Sequence, residues 1–248
     1  MLGVVACETL YHELARSAPG AAVEFVPQWL HEFPIHPPES ERIHRAVEAK
    51  VAALERQGVD EILLLYQDPD GLAGIETAEA PLHVYRGGDC IDLFLPEQAR
   101  HRFEPRKAAH TYFLTRGWID VGLDCYKLYA AYTGELESLL EEFMAAKAED
   151  PELRVTWPES DRLTRVAERR GSIRTEPDAL MRPVVQWFHR VLLVDTGDLL
   201  PFHYEYARAF RSFLADLGTA EAERTAVPLA AIDGDRGALE ALLADPST

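Results

Sequence analysis

Two cysteines, Cys7 and Cys90, each stand shortly after an apolar run that reads as a β-strand, and each has a carboxylate beside it, Glu8 and Asp89. In an open parallel sheet the loops and helix N-termini gather at the carboxyl ends of the strands, so ligands bind there. Cys7 and Cys90 would then reach one rim although 83 residues separate them in the sequence. Two thiolates on one rim suit a soft or borderline metal, with Glu8 and Asp89 as proton-transfer groups in catalysis. Free cysteines also serve as small packing residues, and both readings stay open at this point. The segment Arg86-Gly87-Gly88-Asp89 offers a second chemistry. Adjacent glycines let backbone N–H groups approach an anion, and Arg86 adds charge; a plain tight turn is the alternative. Arg116 and Trp118 follow another strand-like run and complete the ligand-binding candidates. No Gly-rich dinucleotide or Walker loop, no Gly-x-Ser-x-Gly elbow and no His-Glu-x-x-His pair occurs.

The elements that must position these residues alternate. Apolar runs at residues 2–6, 22–26, 61–66 and 81–85, and the aromatic run at 110–115, predict strands. Residues 8–15 and 41–57 predict helices; in the second, Ile43, Val47, Val51 and Leu54 share one face and Gly58 stops it. A further helix is expected from Cys90 to His101. Alternation of this kind predicts an α/β fold: a mostly parallel sheet flanked by helices, Rossmann-like, with five strands. The second half reads as more helical, with one long helix over 123–148 that tolerates Gly134, then helices at 161–170 and 201–217, a strand at 191–195 and a short helix at 235–244. We expect one domain over residues 1–248, with a helical subdomain from about residue 123.

Composition narrows the function classes. The chain has 248 residues, enough for a self-standing core. Acidic residues outnumber basic ones 42 to 25, a net charge of −17, so a general nucleic-acid role is not expected. Three cysteines are too sparse for a disulfide scaffold. Neither a secretory signal nor an apolar run of about 18 residues is present, so a cytoplasmic protein with no membrane partner is the expectation.

Ala6-Cys7-Glu8, Asp89-Cys90-Ile91 and the block from Thr111 to Asp120 (TYFLTRGWID) together resemble the family called domain of unknown function 1638. The resemblance covers about the first half of the chain. It implies three strand-end cysteines, a set that suits zinc or an iron-containing centre such as an iron–sulfur cluster. This chain departs from that pattern. The segment expected to carry the middle cysteine reads Tyr66-Gln67-Asp68-Pro69, and Gly88 stands where the family has histidine. Asp68, Asp70, His83 or Cys125 would have to compensate. Two functions follow as expectations: a metal-binding protein, with Cys7 and Cys90 as ligands, or a metal-free binding or accessory protein for a small anionic ligand or a protein partner.

Overall fold

A computed structural model of the chain describes residues 1–31, 40–66, 72, 74–86, 90–95, 111–218 and 229–246. The chain divides into two compact units, one of residues 1–96 with 234–248 and one of residues 97–233.

In the first unit four parallel strands stand in the order β2-β1-β3-β4. They are β1 (Leu2–Cys7), β2 (Ala22–Val26), β3 (Glu61–Leu65) and β4 (Leu82–Val84). β1 is central, with Ala6 in register with Phe25 on one side and Leu65 on the other. Between β1 and β2 lies a 3₁₀ turn, Glu8–Leu10, then α1, Tyr11–Ser17. Helix α2, Ser40–Arg56, follows β2 and packs Ile43, Val47, Val51 and Leu54 onto Val5, Ile62 and Leu64. Alternate strand residues point to opposite faces. Val4, Ala6, Leu63 and Leu65, on the other face, are equally buried, so the sheet is covered on both sides. Each valine, leucine and isoleucine among these side chains contributes about 1.5–3 kcal/mol by leaving water. β4 is a short, half-buried edge strand that pairs through three residues.

The second unit holds a separate sheet among the described residues, ordered β5-β6-β7 and again parallel. Its strands are β5 (Thr111–Leu114), β6 (Arg190–Asp195) and β7 (Leu229–Asp233). The expected fifth strand therefore forms, but it opens this second sheet instead of extending the first. Its pairing partner, β6, lies far along the chain, and no local pattern in the sequence distinguishes the two pairings. Among the described residues six helices accompany this sheet: α3 (Arg116–Val121), α4 (Cys125–Thr133), α5 (Leu136–Glu149), α6 (Asp161–Arg169), α7 (Pro177–Val185) and α8 (Pro201–Gly218). Back in the first unit, α9 spans Gly237–Ala244.

Two further expectations are corrected. The long helix over 123–148 is two helices, because Gly134 adopts φ 88° and ends α4 in a left-handed cap. A Cβ there would also run into the Arg170 guanidinium, so only glycine fits that cap without displacing it. The helix expected from Cys90 is a 3₁₀ turn over Cys90–Leu93 in the described residues. No helix among the described residues is long and apolar enough to cross a membrane.

Candidate functional site

The order β2-β1-β3-β4 reverses direction between β1 and β3, the position at which doubly wound sheets open a crevice at their carboxyl ends. Cys7 closes β1 there and Tyr66 follows β3; Cys7 lies one step beyond the Ala6–Leu65 pair. Both side chains belong to the core face beneath α2. Thr9 Oγ1 donates a hydrogen bond to Cys7 Sγ at 3.2 Å. The chain beyond Cys7 then turns sharply. Glu8, Thr9, His12 and Glu13 are all buried, none more than 7% exposed, and Gln28 after β2 is buried as well. Polar and ionisable groups lose hydration when buried and are retained where other groups satisfy them or where function requires them. Such a concentration of them at the switch point makes this edge the candidate site of the first unit.

The other expected residues separate. Cys90 is partly exposed at the start of its 3₁₀ turn, and Arg86 is exposed two residues beyond β4. Gly87, Gly88, Asp89, Asp68 and Asp70 lie outside the described residues. Cys7 and Cys90 do not follow neighbouring strands: β3 stands between β1 and β4, which sets those strand axes about 10 Å apart at the usual sheet spacing. Among the described residues no group of three His, Cys, Asp or Glu side chains could hold a metal ion. His83 lies within β4 and pairs with Glu61 at 3.4 Å.

Arg116 and Trp118 belong to the second unit. Thr115 caps α3 by accepting a hydrogen bond from the Trp118 N–H, and Trp118 Nε1 donates to Tyr112 Oη at 3.2 Å. Arg116 is buried and committed. Its Nη2 donates to Asp150 at 2.6 Å, its Nη1 to the Asp198 carbonyl at 2.9 Å, and Asp120 lies 3.5 Å from its Nε. An external anion would have to displace a carboxylate, so the expected role of Arg116 as an anion receptor gives way to a clamp between α3 and two loops. Asp120 also meets His203 Nε2 at 2.9 Å. The Leu200 N–H donates to His203 Nδ1, which leaves Nε2 as the protonated nitrogen that donates to Asp120.

Sequence reasoning also passed over Lys127, which is fully buried. Its ammonium donates to the carbonyls of Ile119 and Gly122 at 2.7 and 2.6 Å and meets Asp124 at 3.4 Å. It lies over the rings of Tyr206, Phe143 and Trp157 at 5.0–5.6 Å. Burial pushes its pKa below the ordinary lysine value, against the pull of Asp124. Asp124 caps α4 and accepts from Tyr206 Oη at 2.6 Å. Burial, reinforced by Asp124, raises the Cys125 thiol, so this cysteine stays neutral and packs. The available signal was the Leu-Asp-Cys-Tyr-Lys run, in which an aspartate three residues before a lysine opens an apolar helix. These groups satisfy one another and form a structural network.

No curated protein and no solved structure matches the chain. One family model matches residues 29–243. That span begins after Cys7 and Glu8, takes in Cys90 and the Thr111–Asp120 block, and runs on through the second half, beyond the stretch that carries the sequence resemblance. The chain belongs to the family described as protein of unknown function, DUF1638.

Proposed function

We propose that the carboxyl edge of the first sheet binds a small molecule that is cationic or rich in hydrogen-bond donors. The single observation that supports this reading is the buried polar run Glu8, Thr9, His12 and Glu13 at the β1/β3 switch point. Ionised carboxylates only accept hydrogen bonds, so a complementary ligand supplies N–H or O–H groups or a positive charge. In this reading Glu8 transfers protons to and from the ligand. Asp89, which follows β4 in the sequence, is the second acid, and Arg86 stands two residues beyond the same strand.

Ethanolamine and ethylenediamine are suitable probes. Each is expected to raise the melting temperature of the wild-type chain by mass action, and Glu8→Gln and Glu13→Gln to remove the response. A response equal to wild type in both variants would overturn the assignment, as would the absence of any response.

A metal-bound form of this edge is a second reading, favoured by the Thr9 donation to Cys7 Sγ. Zinc or an iron-containing centre would take Cys7 and Cys90 as thiolates. Metal analysis of protein purified without oxygen is expected to give a stoichiometric metal that Cys7→Ser and Cys90→Ser each abolish. A metal that persists in both variants contradicts these ligands.

A further inference from the structure

The chain is acidic overall, yet residues 161–174 carry five arginines against Asp161 and Glu168, a local charge of +3. The rest of the chain therefore carries −17 − 3 = −20. Helix α6 turns Leu163 inward, and Arg170 packs against the C-terminal cap of α4 at Gly134. Arg162, Arg165 and Arg169, at i, i+3 and i+7, fall within about 60° of one another around the helix and form one stripe. Arg165 and Arg169 are exposed, and among the described residues no carboxylate forms an ion pair with any of the three.

The same unit carries a complementary surface. On α5, Leu139, Phe143 and Ala146 face the core, and Glu142 and Glu149 are exposed along one flank of that buried stripe. These two are seven residues apart, the spacing of Arg162 and Arg169, or about 10 Å along either helix. Among the described residues they too are without ion-pair partners. Lys147, the cation of α5, lies on another side of the helix and does not neutralise them.

We infer that the arginine stripe of α6 docks on the Glu142–Glu149 face of α5 in a second copy of this chain. The contact joins two different surfaces, so it is head-to-tail, and association continues past the dimer or closes into a ring. Free arginine fits this role because its planar fork pairs with carboxylates in a fixed geometry. The net charge of each copy opposes association at long range. At about 0.15 M ionic strength the screening length is about 8 Å, which mutes that repulsion more than it mutes charges in direct contact.

Sedimentation velocity of the full chain at that ionic strength tests the inference. The wild-type mass is expected to rise with concentration. Arg165→Glu with Arg169→Glu, and separately Glu142→Arg with Glu149→Arg, are each expected to weaken association about tenfold or more. All four residues are exposed, and unchanged circular dichroism and melting establish that both variants fold. An equimolar mixture of the two variants restores complementary faces and is expected to associate again. A wild-type chain that stays monomeric, variants that associate as wild type does, or a mixture that fails to recover each overturns the inference. So does a monomer whose arginines instead bind a short DNA duplex.

Discussion

Lys127 carries the heaviest commitment of any single side chain in the second unit. Three acceptors, the Ile119 and Gly122 carbonyls and Asp124, surround one ammonium that has no access to water. Removing one partner of a buried pair leaves the other charged and unsatisfied, which costs more than the pair itself contributes. Lys127→Met is therefore expected to lower stability by about 3 kcal/mol in urea unfolding. Asp124→Asn added to Lys127→Met should cost less than the two separate losses summed, because the second change removes the orphaned charge. Tyr129 makes a second residue-level test. Its hydroxyl donates to Asp178 at 2.8 Å, and burial and that bond raise its pKa to about 12 from 10.0. A raised folded-state pKa stabilises fully below the unfolded value, and the contribution is lost as pH climbs through the folded one. Urea midpoints of the wild type should thus fall more steeply above pH 10 than those of Tyr129→Phe. Equal slopes would show that the Asp178 contact contributes nothing in solution.

The elements were legible where their signals were local. Ile62 to Leu65 reads as a buried strand because it is an unbroken apolar run, and in β3 all four of these residues are buried while Glu61 stays half-buried. Helix α2 shows its four-residue apolar face, and Pro201 correctly opens α8. β7 escaped because Leu229–Asp233 is mostly exposed and lacks the alternation of a half-buried strand. Gly134 escaped for a different reason. Glycine within an apolar helical pattern costs about 1 kcal/mol and is tolerated, whereas here its left-handed φ of 88° ends one helix and releases another. Gly134→Ala is expected to destabilise by about 1–2 kcal/mol, since an L side chain is strained at that angle and meets Arg170. Gly134→Asn, a residue that tolerates the left-handed region, should cost less. Thermal melts of the two variants separate backbone strain from mere helix propensity, under which alanine would stabilise.

At the scale of the molecule, which strand pairs with which was not legible. Every strand-like run suits a parallel sheet, and nothing in the Thr111–Leu114 segment says that its partner is Arg190–Asp195. That assignment carries Arg116 and Trp118 into the second unit, where carboxylates already hold the guanidinium. Likewise the sequence places Cys7 and Cys90 after strands, but only strand order reveals β3 between them. What the sequence did contain is the Cys7-Glu8 junction, which the sheet sets at its point of reversal. The location of the proposed site can be read directly by hydrogen–deuterium exchange with and without saturating ethylenediamine. Protection is expected in peptides covering Cys7–Glu13, Val26–Gln28 and Leu64–Tyr66, and it should vanish in Glu8→Gln. Protection that instead concentrates around Arg116, Asp195 and His203 would contradict a binding site at the β1/β3 edge.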